Sequence, residues 1–320
     1  MSKNLKVTII GGGNMGINHA RVFNNLGCLD KIVEKDCARR DFLRKIYGNH
    51  TIISDLKNLC SDAYVIATPT SSHFSIAKEL MLNGKHILIE KPVCKTVEEA
   101  EALRKIAKNS NVKIAVGHVE RFNPVVNYLK SWLDDKTLKI IETYRLSALP
   151  AQVKDVGVFQ DLGIHDVDVV LSLINSKIKS IHAMSSEKDG RDVYTKAGIQ
   201  FENGACAFIT TSWLSTSKTR KIYVSTKYED AEMDYLKQSF ETKRININLG
   251  ENHFQPLSFH NIEKIELKRK EPLLLQAKDF IAAIEDNDHK LKVDLNQGYE
   301  ALKVVESILI AAKENRVIQF

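Results

Sequence analysis

The stretch Lys6-Val-Thr-Ile-Ile-Gly-Gly-Gly-Asn-Met-Gly16 is an apolar run that breaks into glycines at Gly11, Gly13 and Gly16. Four β-branched residues in a row, Val7 to Ile10, suit a strand buried on both faces. Asn14 to Leu26 then carries Met15, Ala20, Val22, Phe23 and Leu26 at helical spacing. Strand, tight turn and helix with the spacing G-x-G-x-x-G is the setting in which a dinucleotide's phosphates bind. Gly11 permits the sharp turn, Gly13 lets backbone approach a pyrophosphate, and Gly16 lets helix and strand pack closely. Asn14 and Met15 open the helix whose unpaired N–H groups and positive dipole end meet the phosphates.

A second short strand, Lys31-Ile-Val-Glu34, ends on a carboxylate eighteen residues after Gly16, where such a group binds the hydroxyls of the adenosine ribose. A carboxylate repels a 2′-phosphate, so Glu34 favours NAD over NADP. Arg39 and Arg40 stand close behind and keep the NADP alternative open.

The chain has 320 residues, which suggests about two domains, and hydrophobic and charged fractions of 43% and 27% are those of a globular protein with ample core. No segment approaches the ~18 continuous apolar residues of a membrane span, and no signal peptide precedes the first strand, so a cytoplasmic protein without membrane contact is expected. Five cysteines without a C-x-x-C pair argue against a disulfide framework and a zinc knuckle, and no cluster suggests a metal. The net charge of +6 is spread along the sequence and forms no patch for nucleic acid.

Strand and helix alternate through the first 120 residues. Helices are expected at Asp36 to Tyr47, Ser72 to Leu82 and Val97 to Ala107, and strands at Ala63 to Ala67, His86 to Ile89 and Val112 to Val116. Six strands with intervening helices make a doubly wound parallel sheet. Ligands of such sheets sit beyond the carboxyl ends of the strands, so the residues that follow each strand are the candidates. These include Thr68, Pro69, Thr70 and His73, then Glu90, Lys91 and Pro92, and then Gly117 to Pro124 with His118, Arg121 and Asn123. Thr68 and Thr70 can meet ribose and phosphate; capping of the next helix by Ser71 or Ser72 is the equal alternative. Lys91, after an apolar strand and before a proline, can hydrogen-bond a substrate hydroxyl and steady an alkoxide as its proton leaves.

After Pro124 the pattern changes. A helix is expected at Val125 to Leu133, a long strand at Leu138 to Leu146, and an apolar helix from Asp161 to Ile174. Asp161 and His165, four apart, would share a face of that helix, where the carboxylate can orient the ring and raise its basicity; helix capping by Asp161 and a structural role for His165 are the alternative. Seven strands follow: Ile178 to Ser186, Val193 to Phe201, Ala205 to Trp213, Arg220 to Thr226, Ala231 to Tyr235, Ile245 to Leu249 and Lys264 to Leu267. Short turns such as Glu202-Asn-Gly204 imply a large, open, mostly antiparallel sheet, one face covered by the helices Val125 to Leu133 and Asp161 to Ile174 and the other free to pair with a second subunit. Amphipathic helices at Glu271 to Asp286 and Asn296 to Asn315 close the chain. The expected division is 1–120, an NAD(P)-binding Rossmann domain, and 121–320, an α/β domain for substrate binding and oligomerisation.

Gly11 to Gly16, Glu90-Lys91-Pro92, and Asp161 with His165 beside Asp166-Val-Asp168 together resemble the glucose-fructose oxidoreductase and inositol dehydrogenase family, Gfo/Idh/MocA. The resemblance spans essentially the whole chain. It implies a Rossmann domain followed by an α/β domain whose sheet forms a homodimer or homotetramer, and it implies catalysis by Lys91, Asp161 and His165 on a small-molecule substrate. Gly117 to Pro124, Glu142-Thr-Tyr-Arg145, Asp155-Val-Gly157 and Trp213 to Arg220 are similar to the members that oxidise UDP-N-acetylglucosamine at C3. That narrower resemblance implies a UDP-sugar, with Arg121, Arg145, Lys218 and Arg220 suited to a pyrophosphate and His118 and Asn123 beside them; a subunit-interface role for Lys218 and Arg220 is the alternative. A dehydrogenase of a free sugar or inositol, and an NAD-binding sensor without catalysis, remain as other functions.

Overall fold

The computed structural model describes residues 5–56, 60–134, 137–149, 156–245 and 259–320. Asp155 and most of the strand expected at Ile245 to Leu249 lie outside the described residues. The chain divides into two compact units, Met1–Val119 with Glu271–Leu302, and Glu120–Lys270 with Lys303–Phe320.

The first unit is a six-stranded parallel sheet in the order β3-β2-β1-β4-β5-β6, built from β1 (Val7–Ile10), β2 (Leu29–Val33), β3 (Ile52–Ile53), β4 (Ala63–Ile66), β5 (His86–Ile89) and β6 (Ile114–Val116). The order reverses between β1 and β4, and a crevice opens at their carboxyl ends, as in a Rossmann fold. The helices are α1 (Asn14–Asn25), α2 (Cys37–Tyr47), α3 (His73–Leu82) and α4 (Val97–Ala107). The Asp36 carboxylate starts α2 by accepting the Arg39 N–H at 2.7 Å, and the Thr96 hydroxyl starts α4 by accepting that of Glu99.

The expected boundary at residue 120 is incomplete, because α7 (Pro272–Glu285) and the first turns of α8 (Leu295–Glu314) belong to this unit. Leu273, Ala277, Phe280 and Ile281 of α7 share one core with Ala20 and Phe23 of α1 and with Val7, Ile9 and Val65 of the sheet. An apolar helix face removed from water gains about 25 cal/mol per Å², and α1 offers the matching face, which is why α7 returns.

The second unit is a nine-stranded sheet formed by β7 (Leu138–Ala148), β8 (Ile178–Lys188), β9 (Arg191–Phe201), β10 (Cys206–Ser212), β11 (Leu214–Thr226), β12 (Glu229–Asp234), β13 (Ser239–Ile245), β14 (Phe259–Glu266) and β15 (Ile318–Gln319). The order is β14-β13-β12-β11-β7-β10-β9-β8-β15, antiparallel throughout except between β7 and β10. Alternate residues make two different faces. Ile141, Thr143, Arg145, Ile209, Ile222 and Met233 are buried beneath α5 (Pro124–Leu133) and α6 (Ile164–Leu173). On the opposite face Ile140, Met184 and Tyr223 are exposed, and Tyr144 and Tyr223 meet edge to face with centroids 5.8 Å apart.

Candidate active site

Gly11 holds φ at +98°, and a Cβ there would lie 2.5 Å from the Ala67 carbonyl oxygen; one on Gly16 would lie 1.8 Å from that of Gly11. Both glycines are therefore demanded by backbone packing. At Gly13 a Cβ would meet nothing within 4 Å, because Gly13 faces a cleft of about 860 Å³ at the carboxyl ends of β1, β2 and β4. Gly11, Met15, Glu34, Thr68, Pro69, Glu90 and Lys91 line it. Glu34 accepts the N–H of Gly12 at 2.8 Å on one oxygen and that of Asp36 at 2.9 Å on the other, so it braces the glycine turn and still offers lone pairs to a ligand. An open glycine cradle, a helix N-terminus and a braced carboxylate are the groups that a dinucleotide requires.

Five residues expected in this cleft are not part of its wall: Asn14, Gly16, Thr70, His73 and Pro92. Gly16 packs against Gly11. Ser72 does not cap α3; its hydroxyl lies 2.8 Å from both Thr68 Oγ1 and the Pro69 carbonyl oxygen, within and beside the 3₁₀ turn Thr70–Ser72. His73 is buried with its two ring nitrogens 2.9 Å from the carbonyl oxygens of Thr68 and Pro92, so it ties two cleft loops together instead of lining the cleft. The Lys91–Pro92 bond beside it is cis. Asn14 begins α1, and Thr70 begins the 3₁₀ turn, neither with a place in the cleft wall. Residues that were not expected there also line it: Lys35, Ser54 to Leu56 just after β3, and Ser72, Ile76 and Glu79 of the turn and helix after β4.

Glu90 is buried beneath Lys91. It lies 2.7 Å from His19 Nε2 and accepts the Lys91 N–H at 3.2 Å. Burial pushes its carboxyl up, but His19 and Lys91 outweigh burial and hold the group below its usual range. An ionised Glu90 thus sits under the lysine.

In the second unit Asp161 lies in a π-helical turn, Phe159–Gly163, and His165 lies in the first turn of α6; both are half-buried. A regular helix was expected from Asp161 onward. The wider turn arises locally: Gly163 carries no side chain to strike the Phe159 ring, which a Cβ would meet at 2.8 Å. Asp192 of β9 accepts the Phe159 N–H at 2.8 Å and the Thr195 hydroxyl at 3.1 Å, in space that a Cβ on Gly157 would fill. The segment bearing Asp161 and His165 is therefore capped from a strand 33 residues away.

Arg121 and Arg145, expected to hold an anion of the substrate, are both committed inside the protein. Arg145 is 3% exposed and grips Asp166 with Nε and Nη2 at 2.8 and 2.9 Å, while Nη1 reaches Glu120 at 3.1 Å. Its guanidinium lies over the Tyr235 ring, whose hydroxyl donates to Asp166. Burial works against the cation, but Asp166 and Glu120 overcome it and hold Arg145 far above its usual range. Arg121 pairs with Asp168 at 3.1 Å. Asn123 caps α5 by accepting the Val125 N–H and donates to Glu120 and to the Tyr235 carbonyl oxygen; His118 is fully buried in the first unit. Among the described residues no His, Cys, Asp and Glu group could hold a metal ion, and no helix is long and apolar enough to cross a membrane.

Residues 5–118 match the oxidoreductase family with an NAD-binding Rossmann fold, and residues 142–228 match the GFO/IDH/MocA C-terminal domain. The chain belongs to the Gfo/Idh/MocA family. It is accordingly an NAD(P)-dependent dehydrogenase, and residues 5–118 match the family's NAD-binding domain. Among its Gfo/Idh/MocA relatives, the UDP-N-acetylglucosamine 3-dehydrogenase of Acidithiobacillus ferrooxidans is 26% identical over 288 residues, covering 88% of each chain. A crystal form of that enzyme superposes with a TM-score of 0.88 over 97% of this chain and 98% of that one, at 24% identity. An inositol 2-dehydrogenase of Rhizobium meliloti is 25% identical over 56% of this chain and 57% of its own.

Proposed function

We propose that the protein is an NAD-dependent dehydrogenase of a sugar secondary hydroxyl, with a UDP-sugar such as UDP-N-acetylglucosamine, oxidised at C3, as the substrate. The observation behind the substrate is the similarity to a UDP-N-acetylglucosamine 3-dehydrogenase along 88% of both chains, where the inositol dehydrogenase of Rhizobium meliloti matches over little more than half. The preference for NAD rests on Glu34 in the cleft and on the two arginines that the NADP alternative requires for a 2′-phosphate. Arg39 donates to the Gly12 carbonyl oxygen and Arg40 to those of Glu34 and Lys35, so both are occupied by backbone.

Gly11, Gly13 and Met15 would hold the pyrophosphate, Glu34 the ribose, and Thr68 and Pro69 the middle of the dinucleotide. The bound nicotinamide supplies a hydride acceptor. His165 takes the hydroxyl proton, Asp161 orients its ring, and Lys91 steadies the developing alkoxide. Glu90, held ionised, accepts the Lys91 backbone N–H and so fixes the chain at that position of the cleft. The exposed apolar residues Ile140, Met184 and Tyr223 suit a homodimer or homotetramer built on the open sheet face, in the cytoplasm.

The test is nicotinamide reduction followed by absorbance, with NAD or NADP against UDP-sugars, free aldoses and inositols. Reduction of NAD with UDP-N-acetylglucosamine is the expected result. Activity on inositols alone would refute the substrate, and absence of activity throughout would refute the enzyme.

A further inference from the structure

Arg220 of β11 stands directly opposite Arg145 of β7 in the antiparallel register, so the two guanidiniums issue from the same, helix-covered face. Like charges in such positions repel. Arg145 is neutralised by Asp166 and Glu120. Arg220 has no hydrogen bond or ion pair from its side chain among the described residues, and its Nη1 is fully buried without a partner. A guanidinium has five N–H donors and does not lose its proton in a protein, so burying one without an acceptor is costly.

The electrostatics agree. Burial first, and the charge of Arg145 second, push Arg220 down to about 10, and the carboxylates of Asp166, Glu120 and Asp161 do not make good the difference. The group stays charged at neutral pH and under-compensated. Asp161, in the π-helical turn from which the proposed chemistry is run, is among the carboxylates whose charge acts on it. Of the four cations that sequence suggested for an anionic ligand, Arg121 and Arg145 have internal partners and Lys218 is exposed; Arg220 is the one prepared for a ligand.

We propose that Arg220 is the specificity residue that receives an oxyanion of the substrate, the diphosphate of a nucleotide sugar or a carboxylate on the sugar ring, through a bidentate guanidinium contact. This rests on the reading of the protein as a sugar dehydrogenase and names the residue that makes the substrate an acidic one. An oxyanion there would satisfy the buried Nη1 and screen Arg220 from Arg145.

The test is calorimetric titration of the full-length, NAD-saturated protein and of R220Q and R220K. The probes are UDP-N-acetylglucosamine and UDP for the diphosphate, N-acetylglucosaminuronic acid for the carboxylate, and N-acetylglucosamine as the uncharged control. Wild type should bind one anionic series better than the control, and R220Q should weaken that series roughly 10- to 100-fold while NAD affinity holds. R220K, which keeps the charge without the fork, should fall between, and in turnover KM should rise while kcat is kept. Anion affinity equal in R220Q and wild type would overturn the proposal, as would a wild type that binds N-acetylglucosamine equally well. Should R220Q fail to fold, R220K decides, and undiminished anion affinity in it overturns the proposal. Arg220-dependent UDP binding without any sugar oxidation would leave the proposal standing and refute the dehydrogenase reading; sugar oxidation indifferent to R220Q would do the reverse.

Discussion

Replacing Asp166 with Ala leaves the Arg145 guanidinium, 3% exposed, without the carboxylate that holds it at 2.8 and 2.9 Å. Glu120 remains at 3.1 Å but engages only Nη1, and its own side chain is 18% exposed and hydrated. Two charge-assisted hydrogen bonds and the nearest counter-charge are lost at once, and an uncompensated buried charge of this kind costs about 3–5 kcal/mol. For a unit of this size each kcal/mol moves Tm by about 2–4 °C, so D166A should melt about 10 °C lower. R145M should also destabilise the fold, because among the described residues Asp166 then keeps only the Tyr235 hydroxyl at 3.3 Å. The double variant R145M/D166L removes both charges together, fills a similar volume, and should recover to within about 1 kcal/mol of wild type. Urea unfolding of the four proteins closes the cycle. If D166A stays within about 1 kcal/mol of wild type, the pair does not hold α6 to the sheet and the structural reading of Arg145 is wrong. A large rise in KM for an anionic substrate in the refolded double variant would equally refute it.

K91A should lower kcat roughly 10²-fold or more with NAD affinity retained; equal loss of NAD affinity in a dye-displacement or fluorescence titration would count against Lys91 as the group that steadies the alkoxide. Gly13→Ala and Gly16→Ala should separate binding from folding. The first meets nothing within 4 Å and should melt like wild type while losing NAD, whereas the second drives a methyl to 1.8 Å from the Gly11 carbonyl and should unfold at lower temperature. Glu90, held below its ordinary value of 4.5, contributes stability that is present above that pH and lost as pH falls through the lower folded value. Wild type should therefore show a stability decline below pH 4.5 that is shallower in E90Q, measured as urea midpoint against pH.

Much of the fold was legible because its signals are local. The glycine spacing, the apolar runs of β1, β4 and β5, and the helical periodicity of α1 and α4 lie within a dozen residues each, and the structure places all of them within a residue or two of expectation. The two-residue β3 escaped by name because so short a strand has no period to read, and with it went Ser54 to Leu56 of the cleft wall. The Asp161 turn was expected as regular helix because a π-helical turn follows from the fit of Gly163 against Phe159, a matter of contact.

The sequence by itself determined the dinucleotide cradle, the choice of Glu34, and the pairing of a parallel-sheet unit with a mostly antiparallel one, since each depends on backbone geometry that neighbouring residues impose. Tertiary structure alone decided what the charges do. Arg145 meets Asp166 across 21 positions and Glu120 across 25, Asp192 caps a turn 33 positions before it, and Arg220 faces Arg145 only because β11 lies against β7. A charge acts over a few ångströms of low-dielectric interior, and chain order does not say which carboxylate will be there.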